Sequence, residues 1–149
     1  MRPLRRVVFD PNVLVSGVIS AHGAPASLVD LIDAGAVVPI VCPMLLDELR
    51  RVLHRPKLRS YLSPDQATNF LSELAHSAEH HDDPTDPPSM SRDPDDDYVI
   101  ALARMAQADA VVSGDKDVTQ LVLNDMPIQT PRQLLDELTA LLEAATTEE

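Results

Sequence analysis

The fold is decided by residues 5–12, which read Arg-Arg-Val-Val-Phe-Asp-Pro-Asn. The apolar run that ends at Phe9 predicts a short buried strand, because β-branched and aromatic side chains favour strands. Asp10, Pro11 and Asn12 are turn-forming residues and end that strand. We therefore expect the Asp10 carboxylate to lie at the carboxyl end of a strand.

Short apolar stretches of the same kind recur between helical stretches along the rest of the chain. Further strands are predicted at residues 36–41, 110–113 and 127–129. Helices are predicted directly after residue 12 and at residues 24–34, 43–53, 63–78, 95–107 and 130–145, and a further helix through residue 123 could be capped by Asp117. Pro39 favours a position at or near a sheet edge for the second strand. Strands that alternate with helices pair in parallel and carry helices on both faces, so we expect an α/β fold with a mostly parallel central sheet.

The composition indicates one ordinary intracellular domain. A chain of 149 residues with 44% hydrophobic and only 3% aromatic residues can bury one core of aliphatic side chains. We expect one domain over residues 1–142 and an acidic, frayed tail over residues 143–149. The single cysteine, Cys42, is expected to be a buried structural thiol. No apolar run reaches the roughly 20 residues of a membrane span, so we expect a cytoplasmic protein without a membrane partner.

The net charge of −12 argues against nucleic-acid binding, which usually needs a basic surface. The charges are unevenly distributed, however, because acids crowd within residues 82–97 and 143–149. Basic side chains crowd within one ten-residue stretch at Arg50, Arg51, Arg55, Lys57 and Arg59. An acidic site that recruits cations would be compatible with a polyanionic substrate. The alternative is an acidic surface that only keeps the chain in solution.

Carboxylates are predicted to gather at one edge of the sheet. Asp10 and Asp115 each follow a short apolar strand, and the carboxyl ends of neighbouring parallel strands share one edge. On the helix at residues 43–53, Glu48 lies about 95° from the centre of the apolar stripe and Asp47 about 165°. Glu48 is therefore better placed than Asp47 to face the site.

The acidic start of the helix at residues 95–107 provides a fourth candidate. Its apolar stripe is predicted to consist of Tyr98, Ala101, Leu102 and Met105. Asp97 lies roughly 100° from the centre of that stripe and Asp96 roughly 160°, so Asp97 is the better candidate for the site. Alternatively, these acids only complement the positive end of the helix dipole.

Carboxylates without a His or Cys cluster favour one or two Mg²⁺ or Mn²⁺ ions over Zn²⁺. Such ions activate water and stabilise charge on a phosphoryl group, so phosphodiester hydrolysis is the predicted chemistry. His80 and His81, with the two acids that follow them, are an alternative transition-metal site, although sequence neighbours rarely bind one ion together. A Gly-rich phosphate loop and a Ser-His-Asp spacing are both missing from the sequence, which argues against nucleotide-loop enzymes and serine hydrolases.

Five segments resemble PIN-domain nucleases and occur in the order typical of that family. They are VFDPNVLVSG at residues 8–17, DELRRVLHRPKL at 47–58, RDPDDD at 92–97, VVSGDKD at 111–117 and TPRQL at 130–134. The chain is similar in particular to the branch of toxin components related to VapC toxins. This resemblance implies a three-layer α/β/α sandwich, divalent-metal-dependent cleavage of RNA, a cognate antitoxin and a homodimer.

The resemblance also assigns roles by position within these segments. Catalytic and metal-binding roles carry over onto Asp10, Glu48, Asp97 and Asp115, with Asp117 as a further metal ligand. Supporting polar roles carry over onto Asn12 and Ser113. The phosphates of RNA would meet Arg50, Arg51, Arg55, Lys57 or Arg59, whose alternative role is that of a solvated helix end. The family commonly has Thr or Ser where this chain has Pro11, and proline removes a hydroxyl and a backbone donor beside Asp10.

Three other functions are alternatives to that of a toxin nuclease. The first is a catalytically weak or inactive RNA- or partner-binding protein of the same fold, which Pro11 favours. The second is an RNA-processing nuclease that has no antitoxin. The third is an aspartyl-phosphate enzyme or a receiver-like domain, which would need a second acid at Asn12 or an acidic pair near Asp10.

Overall fold

A computed structural model describes residues 3–85, 97–120 and 125–147. The strands are β1 (Arg5–Phe9), β2 (Val37–Val41), β3 (Glu79–His80), β4 (Ala110–Val112) and β5 (Ile128–Gln129). The helices are α1 (Pro11–Ile19), α2 (Ala24–Asp33), α3 (Pro43–Leu53), α4 (Pro64–Ser77), α5 (Asp97–Ala106), α6 (Lys116–Thr119) and α7 (Pro131–Thr147). One turn of 3₁₀ helix covers Pro56–Leu58 between α3 and α4.

The strands form one parallel sheet in the order β3-β2-β1-β4-β5. The chain builds outward from β1 to β2 and β3, and then crosses to β4 and β5 on the other side. The direction of the connections therefore reverses between β1 and β4. In sheets of this kind a crevice opens at the reversal, beyond the carboxyl ends of the strands. The predicted α/β fold is confirmed, and β2, which holds Pro39, is the second strand from one edge.

Helices cover both faces of the sheet, because side chains alternate between the faces along each strand. Val7 and Phe9 point to one face and Val8 to the other. On the first face, the sheet packs with residues of α1, α2, α3, α4 and α7, including Leu14, Leu28, Leu49, Leu74 and Leu138. On the second face, it packs mainly with α5 through Val99, Leu102 and Ala103. The result is the three-layer sandwich that the family resemblance implied.

Helix starts follow the local sequence closely. The Ser63 hydroxyl accepts a hydrogen bond from the backbone N–H of Gln66, and the Gln66 side chain accepts one from the backbone N–H of Ser63. Thr130 and Gln133 form the same reciprocal pair before α7. Each pair satisfies two backbone donors that a helix start would otherwise leave unbonded. The predicted starts of α4 and α7 are confirmed to within one residue.

Arg6 joins several elements at the amino ends of the strands. Its guanidinium group donates to both carboxylate oxygens of Glu79 in β3, at 2.9 and 2.6 Å. It also donates to the backbone carbonyls of Ala106 and Gln107 at the end of α5. The backbone N–H of Arg6 donates to the Asp109 carboxylate at 2.8 Å. One residue of β1 thus fixes β3, the end of α5 and the start of β4.

The structure corrects three local predictions. Met105 is 46% exposed, and the buried stripe of α5 runs through Val99, Leu102, Ala103 and Ala106 at the spacing i, i+3, i+4, i+7. The strand β3 was not predicted. Asp117 does not cap α6, because the helix begins at Lys116 and the carbonyl of Asp115 accepts from the backbone N–H groups of Val118 and Thr119.

Three further observations concern the composition-based predictions. Cys42 is fully buried, and burial raises the pKa of its thiol to about 11, so the thiol is neutral at physiological pH. The last helix passes the predicted boundary at residue 142 and runs to Thr147. Within the described residues, no single helix has the length and apolar composition to cross a bilayer; α1 and α2 meet that test only as a pair bent by 93°.

Candidate active site

Asp10 is a buried carboxylate at the carboxyl end of β1, with a side chain that is only 4% exposed. It precedes α1 and caps it, because its Oδ1 accepts a hydrogen bond from the backbone N–H of Asn12 at 3.0 Å. The backbone N–H of Asp10 donates to the carbonyl of Val112 at 2.8 Å and holds the residue against β4. Strand end and helix start together fix this carboxylate in one orientation.

Ser113 connects Asp10 with the second strand-end acid. The Ser113 side chain is fully buried, and its hydroxyl donates to Oδ2 of Asp10 at 2.9 Å. The same hydroxyl oxygen accepts from the backbone N–H of Asp115 at 3.0 Å. The two acids are therefore linked through a single serine, at the edge where β1 and β4 lie side by side.

Asp10 and Asp115 line one cleft of about 390 Å³ at the reversal point of the sheet. The other lining residues are Asn12, Val13, Ser16, Pro25, Gly114 and Pro131. A larger groove of about 890 Å³ lies between α2 and α7, but it is mainly apolar and contains none of the predicted site acids. The cleft at the strand ends is therefore the candidate active site.

Glu48 is half-buried on α3, as its place beside the apolar stripe predicted, whereas Asp47 is exposed. The Tyr98 hydroxyl donates to Oε2 of Glu48 at 3.2 Å. Burial, then the charge and hydrogen bond of Glu48, and to a smaller extent the charge of Asp10, raise the pKa of Tyr98 well above its usual range. Tyr98 therefore stays protonated as a donor, and it lies near both carboxylates.

The histidine pair at residues 80 and 81 does not form a metal site within the described residues. Nε2 of His81 lies 2.6 Å from Glu79, whose carboxylate is already bonded to Arg6. Nε2 of His80 lies 2.6 Å from the carbonyl of Ala75. The two rings thus have different neighbours, and no group of three His, Cys, Asp or Glu residues in the described part of the chain could hold an ion.

Comparison with known proteins identifies the family. Residues 6–117 match the sequence profile of the PIN domain. The chain belongs to the PIN-domain family. Members of this family are generally nucleases. The match extends from β1 through the start of α6, and so includes both strand ends that form the cleft.

The chain is also similar to one curated relative in sequence and to two solved structures in fold. An uncharacterized protein of Methanocaldococcus jannaschii, MJ1680, is 28% identical over 141 residues, which cover 89% of this chain and 90% of the relative. VapBC2 from Rickettsia felis, solved bound to a DNA fragment from its promoter, contains a chain that matches with a TM-score of 0.56 at 12% identity. That match covers 84% of this chain and 98% of the other. PAE2754 from Pyrobaculum aerophilum matches with a TM-score of 0.60 at 13% identity, over 91% and 90% of the two chains.

The remaining predicted acids of the PIN domain are only partly described. Asp97 is the first residue of α5 and directly precedes Tyr98, but its side chain lies outside the described residues, as does that of Asp117. Because the buried stripe of α5 differs from the predicted one, helical geometry no longer favours Asp97 over Asp96. The case for Asp97 depends on its place in the family motif and on its neighbour Tyr98.

The donor set of the cleft suits a hard divalent cation. Asp10 and Asp115 line the cleft and offer carboxylate oxygens, which Mg²⁺ and Mn²⁺ prefer. Glu48 does not line the cleft, but its partner Tyr98 lies near Asp10 as well. Asp10 is buried, and a buried carboxylate needs hydrogen-bond donors or positive charge beside it. Asp10 accepts from the backbone N–H of Asn12 and from the Ser113 hydroxyl, and a bound cation would add positive charge. Among the described residues, these three acids do not form a group that could hold an ion, and the side chain of the fourth candidate, Asp97, lies outside the described residues.

Pro11 does not leave Asp10 without hydrogen-bond donors. Pro11 is buried at the first position of α1, where a proline costs the helix no hydrogen bond. The donor that proline lacks is supplied one residue later by the backbone N–H of Asn12. The side chain of Asn12 is exposed in the cleft, so the contact of this residue with Asp10 runs through its backbone.

The predicted RNA-binding residues divide into two groups. Arg50 and Arg51 on α3 both pair with the exposed carboxylate of Asp47. The second group follows α3 and consists of Arg55, Lys57 and Arg59, which are exposed and form no ion pair within the described residues. Only the second group presents charge that a described acid does not already compensate.

Tyr98 was predicted only as part of the apolar stripe of α5 and not as a site residue. A signal was available, because a buried tyrosine hydroxyl usually needs a hydrogen-bond partner. Tyr98 directly follows the acidic run at residues 95–97, and it is one of only two tyrosines in the chain. Its bond to Glu48 connects α5 with α3 beside the cleft.

Proposed function

We propose that this PIN domain is a divalent-metal-dependent endoribonuclease. The observation that carries the proposal is the link Asp10–Ser113–Asp115, which holds two carboxylates at adjacent strand ends in one cleft. Membership of a family of nucleases supports the same chemistry. Asp10, Glu48, Asp97 and Asp115, with Asp117, would hold one or two Mg²⁺ or Mn²⁺ ions. Bound divalent ions supply activated water and stabilise charge on the phosphoryl group.

The protein's own residues would orient the reacting groups. Ser113 and the backbone N–H of Asn12 fix the Asp10 carboxylate by donating to its two oxygens. Tyr98 holds Glu48 by donating to one of its carboxylate oxygens. Such supporting hydrogen bonds hold ligands at the geometry that a metal-dependent reaction needs.

We further propose that the nuclease is a cytoplasmic toxin with a cognate antitoxin and that it acts as a homodimer. The support is the VapBC2 fold similarity together with the sequence motifs at residues 8–17 and 111–117. Expression of the chain should arrest growth, and coexpression of a small protein encoded next to it should restore growth. Growth arrest that no neighbouring product relieves would favour an RNA-processing nuclease without an antitoxin.

The nuclease proposal is tested with a mixed pool of single-stranded RNA and the purified protein. Cleavage is measured with Mg²⁺, with Mn²⁺ and with EDTA. We expect metal-dependent cleavage that Asp10→Asn reduces by at least a hundredfold, because this change removes a buried charge at the proposed metal site. Asp33→Asn is the matched control, since Asp33 is an exposed aspartate on α2.

The outcome decides between catalysis and binding. If wild type and Asp33→Asn cut RNA and Asp10→Asn does not, while circular dichroism shows that all three are folded, the nuclease proposal stands. If the wild-type protein cuts no RNA under any condition, the proposal fails in favour of a catalytically inactive binding protein. Cleavage that persists in EDTA would contradict the metal dependence.

A further inference from the structure

Four Lys and Arg side chains of the described residues form no ion pair, and three of them lie in the loop between α3 and α4; the fourth is Lys116. We define the basic loop as residues 55–61, which read Arg-Pro-Lys-Leu-Arg-Ser-Tyr. No Asp or Glu occurs between Glu48 and Asp65, although acids outnumber Lys and Arg two to one in the whole chain. A local basic segment in an acidic protein concentrates affinity for an anion at one place.

The basic loop has a fixed shape. Leu58 and Leu62 are only 8% and 7% exposed and anchor the loop in the core. The carbonyl of Leu58 accepts from the backbone N–H groups of Tyr61 and Leu62, both at 2.9 Å, and the backbone N–H of Leu58 donates to the carbonyl of Arg55. The exposed side chains therefore project from a backbone that is already ordered, which lowers the entropy cost of binding.

Tyr61 is the one strongly exposed aromatic side chain among the described residues, at 65%. Phe9 and Tyr98 are buried and Phe70 is half-buried. Tyr61 stands two residues after Arg59 and four after Lys57. An exposed aromatic ring among cations is the combination that single-stranded nucleic acids recognise, because bases stack on the ring and phosphates meet the charges.

The remaining described arginines are engaged elsewhere. Ion pairs join Arg5 to Glu137, Arg6 to Glu79, Arg50 and Arg51 to Asp47, Arg104 to Asp125 and Arg132 to Asp136. Arg55, Lys57 and Arg59 form no ion pair within the described residues. The charge available to phosphate is thus concentrated in the basic loop rather than on the surface of α3.

We propose that the basic loop binds single-stranded RNA, with one unpaired base stacked on Tyr61 and phosphates held by Arg55, Lys57 and Arg59. The proposal rests on the proposed function for the identity of the polymer as RNA. From Glu48 to Leu53, the last residue of α3, the helix rises about 8 Å, and Arg55 lies beyond that helix end. The loop therefore holds a part of the RNA other than the bond that is cut, and it selects unpaired substrates.

The test measures binding of a labelled 12-nucleotide single-stranded RNA and of its duplex form, in EDTA. We expect Tyr61→Ala to weaken single-strand binding about 5- to 150-fold, the range for loss of one base stacked on an aromatic ring. Tyr61→Phe should bind like wild type because it keeps the ring. Lys57→Ala/Arg59→Ala should lower the slope of log affinity against log salt by about 1.4, or 0.7 per lost phosphate contact.

The matched control for charge is Arg50→Ala/Arg51→Ala. It removes two positive charges, as Lys57→Ala/Arg59→Ala does, but from α3 instead of the basic loop. We expect a smaller loss of affinity from it, because Asp47 already compensates these arginines. A second readout is Tyr61→Trp, which introduces the only tryptophan of the chain. Its fluorescence should be quenched by single-stranded RNA and much less by the duplex.

Equal binding by Tyr61→Ala and Tyr61→Phe would overturn the inference. An equal loss of affinity in Lys57→Ala/Arg59→Ala and in Arg50→Ala/Arg51→Ala would also overturn it. Either result would indicate that the loop contacts a protein or serves no ligand. RNA cleavage is measured separately with metal present. A protein that cuts RNA without any effect of Tyr61 contradicts the loop proposal alone, and one that binds through Tyr61 without cutting contradicts the nuclease proposal alone.

Discussion

Ser113 is a small side chain on which two acids depend. It has no contact with solvent, donates to Asp10 and accepts from the backbone of Asp115. Its hydroxyl group thus donates one hydrogen bond and accepts another, both within the wall of the cleft. Removal of the oxygen would therefore affect the orientation of Asp10 and of the turn that carries Asp115 in one step.

We predict that Ser113→Ala lowers the rate of RNA cleavage by about 10- to 100-fold, as is usual for loss of a group that orients a metal ligand. It should also lower the free energy of unfolding by about 1–3 kcal/mol, because the buried Asp10 carboxylate loses a hydrogen-bond donor. Cleavage kinetics and urea unfolding measure the two effects. Ser72→Ala, an exposed position on α4, is the control, and full activity in Ser113→Ala would contradict a supporting role.

Some site residues could be found from sequence and others could not. Asp10 and Asp115 follow apolar runs, so their strand-end positions are a local property of the sequence. The partnership of Tyr98 with Glu48 joins residues 50 positions apart and depends on how α3 and α5 pack. The link through Ser113 likewise spans 103 positions and exists only because β1 and β4 are neighbours.

At the scale of elements, α1 and α2 approach each other closely at Gly17. A Cβ atom on Gly17 would lie 2.6 Å from Cγ2 of Val29 and 2.7 Å from the carbonyl oxygen of Pro25. Backbone atoms cannot move aside as a flexible side chain can. The glycine therefore sets the distance between the two helices, and Pro25 in turn lines the cleft.

Gly17→Ala is predicted to destabilise the protein by about 1–3 kcal/mol, the usual cost of an overpacked core. Helix propensity alone would give the opposite sign, since alanine favours a helix by about 1 kcal/mol over glycine. Urea unfolding measures the change. The double variant Gly17→Ala/Val29→Ala should recover part of the loss, and a stabilised Gly17→Ala variant would show that the helices can separate.

The two-residue strand β3 illustrates an element that sequence could not predict. Glu79 and His80 are polar, and so short a segment has no periodicity to detect. The strand exists because it pairs with Ile40 and Val41 and because Arg6 binds Glu79. By contrast, α3 was predicted to the residue, since its apolar stripe and flanking prolines are local signals.

The bond to Arg6 also makes the stability of β3 depend on pH. Hydrogen bonding to Arg6, and then to His81, lowers the pKa of Glu79 from 4.5 to about 2 in the folded protein, against a smaller opposing effect of burial. A group with a lowered folded pKa stabilises the protein above its unfolded pKa and loses that contribution as the pH falls to the folded pKa. The contribution of Glu79 is therefore complete above about pH 5 and disappears towards pH 2.

We predict that the free energy of unfolding of wild type falls between pH 5 and 2 and that Glu79→Gln has a shallower dependence over this window. Because the Glu79 side chain is one-third exposed, solvent screening reduces the size of the effect. Urea unfolding at several pH values measures it. Asp125→Asn removes a more exposed carboxylate, whose pKa is lowered by its hydrogen bond to Arg104, and should change the slope less; identical slopes for both variants would contradict the role of burial.

At the scale of the whole molecule, two apolar clusters share one sheet. Leu138 of α7 belongs to the cluster on one face and Leu102 of α5 to the cluster on the other, and both are fully buried. Consecutive residues of β1, such as Val7 and Val8, belong to different clusters. Loss of either cluster would therefore destabilise the strands on which the other is packed.

Leu138→Ala and Leu102→Ala should each destabilise the same single unfolding transition by about 2–5 kcal/mol. Far-ultraviolet circular dichroism and tyrosine fluorescence should report coincident midpoints in urea. Leu142→Ala, at a half-buried position further along α7, is the control and should cost less. Two separate transitions would show that the two faces unfold independently.

Arg6, through its bonds to Glu79 and Asp109, forms a clamp at the amino ends of the strands. This clamp lies at the opposite end of the strands from Asp10 and Asp115. One set of strands thus holds its architecture together at the amino ends and carries the proposed active site at the carboxyl ends. Substitutions that abolish turnover need not weaken the clamp, and substitutions that tighten the clamp need not disturb turnover. Over evolution, a protein with this arrangement can gain, exchange or lose an enzymatic activity through substitutions at one end of its strands while it keeps its fold. A descendant without activity would still fold and could acquire another function.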